Sequence, residues 1–481
     1  MEDFMVTADS SPQSEGLGTF DDDRHVDRRR RIAMRTIAAG MFVDGYDLIA
    51  LSGVLVQVKD QMHLGAGQIG LLGASTYFGS MVGAIIFGRL ADRLGRRVIF
   101  QWTLVCFVAI SLLSALVTNV EQLYTARVLL GVAIGAELAA GLAFLNEIAP
   151  RNSRGGWAGA LPQIMWSTGA LSAILVDALL LAVGDENAWR WMFAAGAVPA
   201  MIALLARLHL PESPRWLLLK GRTDQAVEAL AYFGISTSAG RLEAQAQALR
   251  THGERARAAV PGMRTLVTGP HRTIALIVIT LVGFVSLVGG GSSILGPYVF
   301  EQIGKLSQIQ SVLSGAVIWV GALIGAILSF TLVDRIGRIR AYISTHVALF
   351  LVYVLMVTIG FGTWVLVPLY CLYGVFNWIA SSISGVLPSE LLPTSVRGAA
   401  NGLAHGLNRF CNGLVVLLVP VGLELLGFRG VVLICGAVGL VLSALAYAYR
   451  RYEPARRSID ELSGERSHPD DHGTPRRSAI T

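Results

Sequence analysis

Charge is scarce in this 481-residue sequence: 15% of its residues are Asp, Glu, Lys or Arg, whereas an ordinary soluble domain carries roughly a quarter. With 53% hydrophobic residues and a mean hydropathy of +0.57, the shortage excludes a string of soluble domains and leaves one large polytopic membrane protein. Cysteine is scarce too. Cys106, Cys371, Cys411 and Cys435 lie far apart inside apolar runs with no C-x-x-C pair, so neither disulfides nor a zinc site is expected. No nucleophile motif, metal-ligand cluster or nucleotide loop is present, which leaves an enzyme without a centre and calls for no cofactor and no metal. The formal net charge of +6 comes mainly from arginines beside apolar runs and needs no nucleic acid to explain it.

Apolar length, by contrast, is abundant. A bilayer core about 30 Å thick needs roughly 20 apolar residues per helix, and twelve runs qualify. They are 32–57, 68–90, 97–118, 121–146, 156–183 and 188–209, then 272–299, 308–333, 340–361, 363–389, 396–423 and 427–449. The reading is an all-α polytopic membrane protein with twelve transmembrane helices in two six-helix bundles, 32–209 and 272–449. A polar linker, 210–271, joins the bundles, and polar tails, 1–31 and 450–481, flank them. In the linker "TDQAVEALAYFG" reads as an amphipathic helix capped by Thr223 and ended at Gly234. Basic residues stay on the cytoplasmic side. "DRRRR", "GRLADRLGRR", "PRNSRG", the linker, "DRIGRIR", "SVRG" and the tail from Arg450 share one side, and the other loops offer little beyond Lys59, Arg190, Lys305 and Arg429. Both termini are therefore expected in the cytoplasm, with the first span acting as its own insertion signal.

"DRLGR" at Asp92–Arg96 returns as "DRIGR" at Asp334–Arg338, and "EIAPRNSRG" at Glu147–Gly155 returns as "ELLPTSVRG" at Glu390–Gly398. Two unrelated motifs recur at nearly one offset, the mark of a duplicated six-helix unit. Such repeats place a substrate site near the midplane between the halves. "GRLADRLGRR" at Gly88–Arg97 resembles the loop signature of the major facilitator superfamily, and Asp334–Arg338 resembles its second-half equivalent. The pattern E-x-x-P-x-x-x-R-G in both halves, "WRWMF" at Trp189–Phe193, "PESPRWLLLKGR" at Pro211–Arg222 and the late "EPARRSIDEL" resemble the sugar-porter and metabolite-transporter branch. The resemblance covers about residues 30 to 462. It implies a secondary transporter of the cell membrane, a bacterial inner membrane, with a small-molecule substrate, protons and the lipid bilayer as partners and a monomer as the working unit.

The resemblance also implies a cytoplasmic gate that holds the outward-open state, made of Gly88, Asp92, Arg93, Gly95, Arg96, Glu147 and Arg154 with Asp334, Arg335, Arg338, Glu390 and Arg397. Independently of it, Asp92 and Arg93 follow a span directly. There a carboxylate can accept from helix N-terminal amides and pair with arginines of neighbouring helices.

An ionised side chain at the bilayer centre costs at least about 2.5–3.5 kcal/mol, so "MFVDGYDLIALSGV" at Met41–Val54, with Asp44 and Asp47 on one face, needs a partner or a role. Asp47 lies roughly 22 Å above the inner end of the first span, and Arg127 roughly 10 Å below the outer end of the fourth. In a core about 30 Å thick the depths nearly coincide, and a pair is geometrically open. "GYD" resembles the proton-site aspartate of sugar and metabolite symporters, and "RVLLGVAIG" at Arg127–Gly135 is similar to their fourth-helix motif, whose arginine gates that site. Proton coupling through Asp47 and Arg127 is thus implied; a buried ion pair that only fixes packing stays open. Asp44 completes "DGYD", a form similar to that of aromatic-acid and related metabolite symporters, either as a second titrating site or as a hydrated cavity residue. Glu137 in "IGAEL" is open to two roles, a proton relay and a hydrogen bond to a neighbouring helix.

The eleventh span begins "RGAANGLAHGLNRFCNGLVV". Arg409 stands roughly 15 Å deep, with His405, Asn408 and Asn412 within about a turn. A midplane arginine without an acid in its own half is a poor structural choice and a good anion anchor, which favours a carboxylate substrate. Pairing with Asp44 is the alternative. Sugar or polyol symport is a second reading, although the seventh span, "FVSLVGGGSSILGPYVF", lacks the Gln-Gln pair usual in sugar porters. Gln163 resembles a sugar-binding glutamine, and Trp166, Tyr298, Asn377 and Trp378 are candidates to wall a small ring or simply to pack. Export by proton antiport shares the fold, but the fifth span lacks the Gly-Pro-Gly-Gly-like motif of such exporters. The run Gly289–Gly291 can break a gating helix or allow close packing.

Overall fold

The computed structural model describes residues 27–150, 155–184, 186–235, 272–289, 292–359, 363–392 and 394–450. In the first half, α1 (Arg28–Gln61), α2 (Ala66–Leu94), α3 (Arg96–Ala115) and α4 (Val120–Ile148) are followed by a π-helical turn, Gly155–Ala160, that leads into α5 (Leu161–Val183). The sixth span consists of α6 (Ala188–Ala195) and α7 (Ala197–Arg207), interrupted at Gly196. Two short helices, α8 (Pro214–Leu219) and α9 (Thr223–Tyr232), follow in the linker. The seventh span is broken into α10 (Arg272–Gly283), α11 (Val285–Val288) and α12 (Ser292–Gly304). Then come α13 (Gln308–Ile336), α14 (Arg338–Thr358), α15 (Thr363–Leu391) and α16 (Thr394–Ala448), whose two arms turn at Gly427, φ +67°.

Among the described residues ten helical spans are long and apolar enough to cross a membrane; α6 with α7, and the two arms of α16, each count once among them, and the broken seventh span completes the expected twelve. Boundaries fall within a few residues of the sequence reading because the cues are local. At α4 the Asn119 side chain accepts from the Gln122 amide at 2.9 Å, which satisfies an orphan donor of the first turn. One cue misled. Thr223 is the first residue of α9, and its N-cap is Arg222, which makes no side-chain cap bond. Gly221, at φ +76°, closes α8 in a left-handed turn that delivers the chain to α9 one residue early.

The duplicated motif has a backbone reason. Gly95 and Gly337 sit at φ +110° and +96° with extended ψ, a region open essentially to glycine alone, and each turns the chain sharply between two spans. Helix crossings repeat as well. A Cβ on Gly79 or Gly131 would strike the backbone of the other helix of the α2–α4 pair, and Gly321 and Gly374 do the same for α13 and α15. Small residues that let backbones touch are how helices associate in lipid, where apolar burial alone gives little.

The end that carries Asp92–Arg97, α8 and α9 is called the basic end here, and the opposite end the far end. Buried apolar side chains of the first half, among them Leu55, Phe107 and Ile174, run on without a gap into Leu295, Val312, Trp319 and Val416 of the second half. A second cluster fills the second half around Tyr342 and Tyr370, and a third packs Phe100 and Phe144 on Trp216 and Phe233 of the linker helices. Outward-facing Ile85, Trp102, Leu113, Leu179, Ile202 and Leu351 are exposed, as a surface solvated by lipid requires.

Candidate functional site

The halves are closed on each other at the far end. Lys59 Nζ on α1 reaches Glu301 Oε2 on α12 at 2.9 Å and lies 5.8 Å from the Tyr298 ring centroid, and Gln308 Nε2 donates to the Val56 carbonyl at 3.3 Å. Nearer the middle, Gly70 and Gly73 of α2 press on Leu417 and Val416 of α16, and Phe78 packs on Phe410. At the basic end one face of the first arm of α16 is open: Leu403 and His405 are exposed and open space lies in front of Gly402 and Gly406, while Ala400 and Ala404 on the other face are buried in the second half. Tyr298 therefore belongs to the far-end closure. The Lys59–Glu301 pair is mostly buried, 9% and 15% exposed, so Lys59→Met should shift the closed-to-open ratio at the far end by about 1 kcal/mol, roughly fivefold. The check is maleimide labelling of a single cysteine placed at Val56, which should quicken to match; unchanged labelling would mean the pair does not hold the halves.

Beneath that closure lie the buried acids. Asp47 accepts from Ser111 Oγ at 3.4 Å, and Arg127 Nη2 donates to Ser114 Oγ at 2.7 Å. Ser111 and Ser114 are one turn apart on α3, so the expected common depth is met. The two charges lie within electrostatic reach without touching, and the guanidinium stacks 4.4 Å from the Phe193 ring centroid. Glu137 is paired closely: Arg207 Nη2 and Nη1 reach its two oxygens at 2.7 and 3.0 Å, and Thr103 Oγ1 adds a third bond at 2.7 Å. Asp44 is fully buried, neither oxygen has a hydrogen-bond partner among the described residues, and it lies within electrostatic reach of Glu137, Arg409, Arg207 and Asp47.

Glycines cut the room for these groups. A Cβ on Gly196 would strike Asp47, on Gly40 the Glu137–Arg207 pair, and on Gly53 the carboxylate of Asp177 on α5. Arg207 and Asp177 were not singled out from the sequence. Arg207 reads as an ordinary basic residue at a span end, whereas Asp177 interrupts "SAILVDALL" as plainly as Asp47 interrupts its own span, and that signal was available.

At the centre three indoles meet. Trp166 stacks on Trp378 with centroids 5.2 Å apart and tilts against Trp319 at 5.2 Å; Trp319, a third member that sequence reasoning missed, meets Trp378 edge-on at 5.7 Å. The buried Trp378 Nε1 has no acceptor among the described residues. Gln163 lies one turn before Trp166 on α5 and is half-buried. Asn377 flanks the broken seventh span, its Oδ1 lying 3.4 Å from where a Cβ on Gly289 would be. The break itself is satisfied by side chains: Tyr373 donates to the Gly289 carbonyl at 2.7 Å, Tyr353 donates to that of Val288, and Asn408 Nδ2 donates to that of Val282 at 3.0 Å. Asn412 in turn donates to Asn408 Oδ1 at 3.3 Å, so these two asparagines brace a broken helix. Arg409, half-buried, points across to Tyr77 and Asp44, within electrostatic reach of both and bonded to neither; His405 lies one turn nearer the basic end.

At the basic end Arg96 pairs with Glu147 at 3.1 Å, and Ser213 donates to the same carboxylate. The expectation for Asp92 is corrected. It is 73% exposed and 3.6 Å from Arg96, and the acceptor for the α3 amides is Glu212, which takes those of Arg96 and Arg97 at 3.0 and 3.1 Å. Gly95 turns those amides toward the linker, where Glu212 arrives, and away from the last turn of α2 that holds Asp92. Arg93 and Arg335 are exposed, Gly88 is half-buried with Ala139 opposite, and Arg338 opens α14. Arg154 and the side chains of Asp334, Glu390 and Arg397 lie outside the described residues.

Residues 33–462 match the family described as "Sugar (and other) transporter". The chain is 28% identical over 433 residues to the "Putative metabolite transport protein YaaU" of Escherichia coli (strain K12), covering 89% of this chain and 94% of that protein. It is 27% identical to the "Arabinose-proton symporter" of Bacillus subtilis (strain 168), covering 82% and 87%. Among solved structures, the inward open conformation of the xylose transporter XylE from E. coli superposes with a TM-score of 0.75 at 20% identity, covering 91% of this chain and 99% of that one.

Proposed function

Because the chain belongs to the sugar (and other) transporter family, we propose that it imports a small organic carboxylate together with protons by alternating access. Membership makes it a secondary transporter and a multi-pass membrane protein. The finer reading rests above all on Arg409, a midplane guanidinium that carries no hydrogen bond or ion pair among the described residues and faces the other half. A half-buried, unpaired guanidinium within the span is open to an anionic visitor, and its planar fork matches a carboxylate. The stacked Trp166 and Trp378 offer an adjoining wall for the organic part of the solute.

The basic end is taken as cytoplasmic on the positive-inside rule, which makes the described conformation inward-facing. In the outward-facing state a proton from outside neutralises Asp47, and Arg127 is released from its attraction. The anion docks on Arg409, and closure at Lys59–Glu301 then traps both solute and proton. Opening of the basic end lets the solute leave first and the proton follow, so that the ionised Asp47 again holds Arg127. The Glu137–Arg207 pair, with all its bonds made inside one half, is read as the rigid brace on which that half turns.

A sugar is the second reading, supported by the orphan Trp378 Nε1, a donor suited to a hydroxyl oxygen, and by pentose symporters among the relatives. Proteoliposomes given small carboxylates and pentoses, with and without an inward proton gradient, separate the two. Gradient-driven accumulation of an acid is the expected result. Accumulation of a pentose with no competition by acids would move the reading to sugar, and uptake of either without any response to the gradient would remove the proton.

A further inference from the structure

Asp177 is left over from this mechanism. Each of the other buried acids of the first half has a cation within reach: Asp47 has Arg127, Glu137 has Arg207, and Asp44 has Arg409. Among the described residues Asp177 has none. It is fully buried, and neither oxygen meets a donor among those residues in hydrogen-bonding geometry. The Gly53 amide is turned toward it from α1, short of hydrogen-bonding geometry. Among the described residues of α1, α6 and α13, the elements packed on α5, the titratable group within electrostatic reach of Asp177 is Tyr46, which is also within reach of Asp47. A carboxylate placed so has no cation and no side-chain donor among the described residues to balance a negative charge.

The place itself is ordered. Gly53, whose missing side chain gives the carboxyl its room, is six residues beyond Asp47 on α1 and six short of Lys59, about 9 Å from each along the axis. Three residues below Asp177, on the same face of α5, Ile174 packs beside Gly315 of α13, across the boundary between the halves. The carboxyl thus lies against α1 at a depth midway between Asp47 and the far-end closure, one turn from an Ile174–Gly315 contact that must part when the far end opens.

Resting on the proton-coupled reading above, we propose that Asp177 is a second proton-binding site, loaded from outside when the Lys59–Glu301 contact opens and sealed in with its proton when the contact closes. The test uses the full chain in lipid nanodiscs and proteoliposomes, comparing the parent with Asp177→Asn, Asp177→Ser and Asp47→Asn. Infrared difference spectra recorded on a pH step should lose one protonated-carboxyl band in both Asp177 variants and a different one in Asp47→Asn. Reversal potentials should show the proton-to-solute ratio of the Asp177 variants lowered by one relative to the parent. An unchanged spectrum in either folded Asp177 variant would overturn the proposal, as would loss of the band with no change in the ratio, which would mean a proton held permanently. Failure of the underlying reading looks different: a parent protein whose solute flux does not respond to a proton gradient at all.

Discussion

Asp47→Asn should reduce gradient-driven accumulation to none, so that the solute merely equilibrates, while exchange of internal for external solute persists. Asparagine has the shape of aspartate, so it fits the notch that Gly196 leaves and keeps the contact with Ser111. Only the ability to carry a proton is lost. Arg127 retains its bond to Ser114 and its place on Phe193, so the variant has no new reason to unfold. A permanently neutral residue 47 imitates the protonated state, in which the halves are free to rock; transport continues, but nothing couples it to the gradient. The measurement is paired uptake and counterflow in proteoliposomes. Accumulation equal to that of the parent would remove Asp47 from coupling and leave it as a packing element. Gly196→Ala supplies a companion test, because it keeps the carboxylate and displaces it. Its Cβ would overlap Asp47 Oδ1, so accumulation should fall without the clean separation from exchange seen in the asparagine variant.

Where the sequence was informative, the physics is local. Apolar runs of bilayer length and the glycines of the repeated DRLGR and DRIGR motifs each act within a few residues, and the spans fall where the runs are. The common depth of Asp47 and Arg127 could also be read, since helical rise is fixed. Contacts chosen by tertiary packing were hidden. Arg207 at a span end is free to reach water; here it folds back over Gly40 to Glu137, which only the meeting of α1, α3, α4 and α7 decides. Glu212 displaces Asp92 as acceptor for α3 for the same reason, because the direction in which Gly95 turns the chain is not written in a spacing. Trp319 looked like any apolar residue of its span until α5, α13 and α15 brought three indoles together. Asp177 is the exception. Its signal was plain in the sequence, and a uniform rule that every charge inside a span needs a partner or a role finds it beside Asp44 and Asp47.

Arg409 decides the substrate class, and its substitutions carry the second large effect. If a carboxylate docks on the guanidinium, Arg409→Lys keeps the charge but loses the bidentate fork and should weaken binding of a transported acid by about 1.5–3 kcal/mol, roughly tenfold or more. Arg409→Ala should do worse. The neighbouring acid sharpens the test. Asp44 lies within electrostatic reach of Arg409, so a guanidinium whose task is to balance that aspartate should become dispensable once Asp44 is neutral. An anion anchor should instead become stronger, since Asp44→Asn removes a competitor for the same charge. Binding competition on the parent, Arg409→Lys, Asp44→Asn and the double variant, with an acid and its neutral amide compared at one pH, reads both alternatives. The anchor predicts acid preferred over amide in the parent, a preference kept or increased in Asp44→Asn, and one lost in both variants that lack the arginine. Equal competition by acid and amide on the parent, with the loss in Arg409→Lys rescued by Asp44→Asn, would make Arg409 a partner for Asp44 and put the indole-walled sugar site first.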